Sequence, residues 1–279
     1  MKNVITRLIT GILYIAVIVC ALLAGGWWTW GLTMLLAMLG LNEFIRITNK
    51  NFVSNTTRLF DLLGAACLIT AFAPTQMLER PASWICLALY FLYFIIRFIA
   101  QLYVQDGNPL EHLAHSVMGQ VYVVWPLAML ELLYTMFGAE IALGMVILIW
   151  LSDTGAFCVG SLVGRHKLFE RISPKKSWEG FFGGLAFCLL AGGLFPCLFP
   201  NFFGNFNIWV MLGMGATVAV AATWGDLIES LIKRSLGVKD SGNLLPGHGG
   251  ILDRIDSLLL VVPTLLLYLS LATMCTPGL

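Results

Sequence analysis

Hydrophobic positions in this chain come in long runs, and nine of them approach the length needed to cross a bilayer, roughly 20 mostly apolar residues. They cover 8–24, 27–45, 59–78, 82–100, 113–136, 139–163, 179–199, 206–231 and 254–274. The pattern predicts an all-α, polytopic membrane protein of about nine transmembrane helices. Gly25-Gly26 alone separates the first two runs, which calls for a tight turn. Trp27, Trp28 and Trp30 beside it suit a membrane-interface belt. Pro74 and Pro126 are expected to kink their spans.

Composition agrees. Of the residues, 59% are hydrophobic and 11% charged, with mean hydropathy +0.87; a soluble domain has about 25% charged residues. The net charge of +1 implies no polyelectrolyte partner, and nothing points to nucleic acid. Lys2 and Arg7 before the first run imitate a signal peptide, but no A-x-A site closes it, so an uncleaved first span is expected. The seven cysteines sit in apolar runs without a C-x-x-C pair and read as reduced, buried hydrophobes.

The basic residues orient the spans. With the N-terminus cytoplasmic and nine spans alternating, 15 of the 16 Lys and Arg residues fall on inner segments or adjoining helix ends, Lys50 and Arg97 among them; only Arg80 falls outside. The C-terminus is then outside. The two polar loops, 164–178 and 232–253, share the cytoplasmic side.

The chain changes character near its middle, and we divide one continuous membrane domain into an N-terminal part, 1–137, and a second part, 138–279. In the first, Glu43, Asp61 and Glu131 lie in or near spans, where helix-end or interhelical pairing is a better expectation than proton relay. His112 and His115, beside Asp106 and Glu111, lack a further ligand pattern and read as a polar helix start. In the second part, Asp153 lies about eleven residues before the end of its helix, roughly 16 Å deep at the helical rise. A carboxylate there should face a polar cavity or a cation. Ser152, Ala156, Gly160 and Gly164 form a stripe that admits a close neighbouring helix. Ser177 is a plausible N-cap for the following helix, ahead of Gly180, Gly183 and Gly184.

Charge becomes dense between Thr223 and Ser257. Asp226, Glu229, Ser230 and Lys233 share a helix face, and Asp253 and Asp256 share another. Converging carboxylates suit a hard cation such as Mg²⁺. Lys233, Arg234, Lys239, His248 and Arg254 are donors for phosphate oxygens. Gly249-Gly250 before a helix start lets backbone N–H groups approach an anion. Metal plus phosphate is one reading of this stretch. A solvated cytoplasmic loop with topogenic charges is the other.

Ser230–Lys233–Arg234, Lys239-Asp240, Leu245-Pro246-Gly247-His248-Gly249-Gly250 and Leu252-Asp253-Arg254-Ile255-Asp256-Ser257 together resemble the signature of the phosphatidate cytidylyltransferase (CDP-diacylglycerol synthase) family. Ser173-Pro174-Lys175-Lys176-Ser177-Trp178-Glu179-Gly180 resembles a second block of that family. The resemblance implies transfer of CMP from CTP to phosphatidic acid, with Mg²⁺ and with a second cation permitted. On this reading Asp226, Asp253 and Asp256 bind metal and act in catalysis with Lys233 and Arg254, and Asp153 completes the ion site or holds a basic residue. Lys175, Lys176, Ser230, Arg234, Lys239, Asp240, His248, Gly249 and Gly250 contact substrate. A bacterial inner membrane with a cytoplasm-facing site is expected, and the small-residue stripes permit a homodimer without requiring one. A polyprenol or dolichol kinase and a secondary transporter are the rival readings.

Overall fold

The apolar runs become helices, and their ends fall where glycine, proline and charge interrupt them. The structure, a computed structural model, describes residues 2–48, 55–74, 78–104, 108–203, 206–244 and 249–275. Lys50, Asp106 and the Leu245–His248 part of the signature lie outside the described residues. Among the described residues, ten α-helices follow in order: α1 (Lys2–Ala24), α2 (Trp27–Thr48), α3 (Asn55–Ala71), α4 (Arg80–Gln101), α5 (Pro109–Gly119), α6 (Trp125–Val163), α7 (Trp178–Leu198), α8 (Pro200–Phe203), α9 (Ile208–Ser235) and α10 (Leu252–Cys275). A π-helical turn, Gln120–Val124, joins α5 to α6, and a two-stranded hairpin, β1 (Lys167–Phe169) and β2 (Ser173–Ser177), separates α6 from α7.

Six described helical stretches are long and apolar enough to cross a membrane: Trp27–Thr48, Arg80–Gln101, Pro109–Val163, Trp178–Leu198, Ile208–Ser235 and Leu252–Met274. Ile9–Ala24 is a shorter apolar helix. The 17 residues of α3 include Arg58 and Asp61. Two expected runs continue as one helix that is broken at Gly138 (φ 83°, ψ 176°), a backbone that favours glycine.

The chain folds as two compact units, one of Met1–Met136 with Leu236–Arg254 and the other of Phe137–Ser235 with Ile255–Leu279. In the first, Gly25 (φ 67°) and Gly26 (φ 54°) make the expected turn between α1 and α2. Of Glu43, Asp61 and Glu131, two are paired between helices, as expected for charge at membrane depth. Glu131 accepts from Thr33 Oγ1 at 2.7 Å. Asp61 accepts from Tyr93 and Ser116, each at 2.7 Å, and lies 3.4 Å from Arg97. Arg97, counted among the inner charges, is therefore buried in this network. Glu43, the third, reaches the signature loop, as described below.

The prolines behave differently from each other. Pro74 lies beyond the end of α3 and kinks nothing, because the helix stops three residues earlier. At Pro126 the distortion takes the form of the π-turn, in which Trp125 N–H donates to Gln120 O. Among the described residues, the cysteines outside the helix terminus at Cys275 are free thiols, as expected; Cys188 is buried, whereas Cys20, Cys158 and Cys197 are exposed on apolar helices.

In the second unit α7 runs between α6 and α9, and its glycines set both distances. A Cβ at Gly180 would sit 2.9 Å from Ala156 O, and one at Gly184 would sit 2.7 Å from Ser152 O. The stripe on α6 thus meets the glycines of α7, the close packing that small residues allow. On the other side, Gly192 packs on Met211 O and Gly215 on Cys188 O.

Candidate active site

The site in the second unit begins with the start of α7. Ser177 is extended (φ −127°, ψ 157°) and accepts the Gly180 N–H at 3.2 Å, the N-cap expected from the sequence. Ahead of it, β2 pairs antiparallel with β1, with Lys167 opposite Ser177 and Phe169 opposite Ser173. Glu179, in the first turn of α7, accepts from the backbone N–H groups of Arg165 and His166 at 3.1 and 3.2 Å. The His166 Nδ1 lies 2.6 Å from the same carboxylate. These interactions close the hairpin onto the helix and fix where Lys175 and Lys176 leave the chain.

Lys176 crosses to α9. Its Nζ lies 2.6 Å from Asp226 Oδ2 and 3.4 Å from Thr223 O. The other Asp226 oxygen accepts from Ser230 Oγ at 3.2 Å, so Ser230 orients the carboxylate. A cavity of about 420 Å³ opens beside this pair, lined by Ser152, Asp153, Phe157, Lys175, Lys176, Phe181, Thr223 and Asp226, among others. Its size is in the range of ligand pockets. Asp153 is part of that lining.

A third carboxylate arrives with α10. Gly225 leaves room for that helix, since a Cβ there would stand 2.9 Å from Asp256 O and 3.0 Å from Ser257 Cα. Ser257 Oγ donates to Ala222 O at 3.1 Å and fixes the approach. Asp256 is thereby within electrostatic reach of Asp226, Asp153 and Lys176.

Three carboxylates with serine and threonine hydroxyls nearby are a hard-oxygen donor set, the chemistry Mg²⁺ favours. Among the described residues, no three His, Cys, Asp or Glu side chains are drawn together as a ligand cage. Asp226 has Lys176 as its counter-charge in this arrangement. The donor types therefore fit a divalent cation, and Lys176 is the group that a cation at Asp226 would compete with.

The remaining signature residues divide by unit. On α9, Lys233 is buried and ion-paired with Glu229, one helical turn away, so its charge is already engaged. Arg234 is exposed, as are Lys239 and Asp240 of the first unit. In the first unit, Asp253 accepts from the Ser241 N–H at 3.1 Å and the Gly250 N–H at 2.9 Å. That N–H of Gly250, expected to face phosphate, is thus given to a carboxylate. Gly249 adopts φ 84°, and a Cβ on it would stand 2.8 Å from Asp253 Oδ2. Arg254 is exposed, and its carbonyl accepts from Tyr14 Oη at 3.2 Å. His248 lies outside the described residues.

Sequence reasoning missed Phe157, Phe181 and Thr223 as cavity walls and Glu179 as the hairpin clasp. For Glu179 the signal was available: an acidic residue in the first turn of a capped helix, with a histidine in the loop before it.

A family model described as "Cytidylyltransferase family" matches residues 5–272. The chain belongs to the cytidylyltransferase family. It is accordingly a nucleotidyltransferase, and the resemblance first read from the signature holds across almost the whole sequence. Among curated relatives, a phosphatidate cytidylyltransferase of Staphylococcus aureus (strain COL) is 34% identical over 265 residues, covering 93% of this chain and 96% of the relative. Those of Staphylococcus epidermidis and Staphylococcus haemolyticus are each 33% identical, over 266 and 265 residues, with the same coverage.

Proposed function

We propose that this cytidylyltransferase joins CTP to phosphatidic acid, releasing pyrophosphate and giving CDP-diacylglycerol, and that the cavity between α6, α7 and α9 is where its second unit meets substrate. The observation that carries the site assignment is the Lys176–Asp226 pair at 2.6 Å, on the wall of a cavity that Asp153 also lines. A phosphate oxygen of phosphatidate attacks the α-phosphorus of CTP; the bond to the bridging oxygen of the β-phosphate breaks and pyrophosphate leaves with that electron pair. The nucleophile is already an anion, so no strong general base is needed. The barrier is the meeting of two polyanions, which fixed cations and positioning lower.

Lys175 and Lys176 hold phosphate oxygens at the cavity mouth. Asp226, oriented by Ser230, together with Asp153 and Asp256, would hold Mg²⁺, which when bound neutralises charge on the phosphates. Arg234, Lys239, His248 and Arg254 are further phosphate contacts in this reading. Asp253 holds its loop by accepting the Ser241 and Gly250 N–H groups.

The nine-span topology is part of the proposal. α1, α3 and the two halves of Pro109–Val163 on either side of Gly138 bring the six long helices to that number. With the N-terminus inside, the hairpin and the signature loop then face the cytoplasm of a bacterial inner membrane, in line with the distribution of Lys and Arg. A cytidylyltransferase family model spanning residues 5–272 disfavours the kinase and transporter readings.

The test is a product assay with CTP labelled in the cytosine ring, phosphatidate and Mg²⁺. Labelled lipid is the expected product. A lipid that gains phosphate but no cytidine overturns the proposal.

A further inference from the structure

We propose that Glu43, near the C-terminal end of the apolar helix α2, is a positioning residue for the signature loop. Glu43 is 5% exposed, and its carboxylate reaches the ends of the signature loop. Oε2 accepts from Ser241 Oγ at 3.0 Å and from the Leu252 N–H at 2.9 Å. Leu252 is the first residue of α10, and its N–H is one of those a helix start leaves without an internal acceptor. A carboxylate is well placed there, since the helix dipole favours negative charge at that end. Glu43 therefore caps α10 from a distant helix.

Asp253 completes the arrangement from the other side, taking the N–H groups of Ser241 and Gly250. Two carboxylates thus grip the same two ends of the loop: Ser241 by both its hydroxyl and its amide, and the Gly250–Leu252 turn by two amides. The glycines fit this role, since a Cβ on Gly242 would stand 2.6 Å from Glu43 Oε1 and one on Gly250 would collide with Oε2. A buried charge from α2 is a costly way merely to start a helix, because a local Ser or Asn cap serves that purpose. It does fix the bracket of a polar loop that would otherwise be held from one side only.

The inference rests on the proposed part of this loop in substrate binding, and the experiment keeps the two apart. Full-length wild type and the variants Glu43→Ala, Glu43→Gln and Ser241→Ala are purified in lipid nanodiscs. Amide hydrogen exchange over 241–252 is measured without substrate, alongside kcat and KM for CTP. Glu43→Ala is expected to speed exchange across 241–252 while the other helices keep their protection, and to lower kcat about 10–100-fold, the scale of a displaced active-site group. Glu43→Gln, which keeps one acceptor, falls between Ala and wild type. Unchanged exchange in a folded Glu43→Ala protein, or kcat within about twofold of wild type, overturns the proposal. If Glu43→Ala does not fold, Ser241→Ala decides by the same two readouts, since it removes one grip and leaves α2 intact. CTP-dependent protection of 236–254 in wild type separately tests the loop's part in binding; its absence removes that reading, whatever the exchange comparison shows.

Discussion

At the scale of single residues, the chemistry divides between charges poised at the cavity and charges already consumed. Lys176 is half-exposed and meets Asp226 at the cavity wall, so it can exchange its partner for a phosphate. Lys176→Met should raise KM for CTP and lower kcat while leaving thermal stability near wild type, as steady-state kinetics and a melting curve will show. Lys233 should behave in the opposite way. Its ammonium is buried against Glu229, and removing it takes the ion-pair partner from a carboxylate that is 1% exposed. Lys233→Met is expected to cost roughly 3 kcal/mol of stability, the scale of a broken buried pair, read as a fall in melting temperature. The sequence made the residue types legible but not their engagements. Lys233 read as a phosphate donor although Glu229 one turn earlier was a ready partner. Glu43 was legible as an interhelical group, but nothing local indicated that its partner lay in the signature loop.

At the scale of elements, the glycine face of α7 is the feature on which the cavity depends. Ser152, Ala156 and Gly160 on α6 were legible as a packing stripe because four-residue spacing is a helical property visible in one dimension. That α7 supplies the facing glycines, and that α9 closes from the opposite side at Gly215, required the fold. Gly184→Val would force bulk against Ser152 O, a backbone atom that cannot rotate away. The expected outcome is separation of α6 from α7, with lost turnover and a lower melting temperature together. The β1–β2 hairpin was not legible. Pro174 and two lysines are poor strand formers, and the strands exist because Glu179 and the Ser177 cap tie them to α7. Ser177→Ala should therefore cost about 1 kcal/mol, the usual worth of such a cap, and should weaken CTP binding by loosening Lys175 and Lys176.

At the scale of the whole molecule, hydropathy foretold the helical membrane architecture, and the family match extends over almost the full chain. The division into units was not visible in hydropathy: residues 236–254 belong with the N-terminal helices, whereas the flanking helical segments belong with the second unit. Side chains such as Glu43 and Asp253 make that attachment, and a hydropathy profile does not register them. The central claim is that carboxylates at the cavity hold a divalent cation while Lys176 and its neighbours seat the phosphates. Its most direct test is a Mg²⁺ titration of CMP transfer to phosphatidate by purified wild type and Asp226→Asn, with chelated samples as the zero point. Wild type should lose activity on chelation and regain it with Mg²⁺, whereas Asp226→Asn should insert and fold normally yet turn over ~100-fold or more slowly at saturating Mg²⁺, the scale of losing one transition-state charge contact. Near-normal turnover and Mg²⁺ response in folded Asp226→Asn would contradict the account.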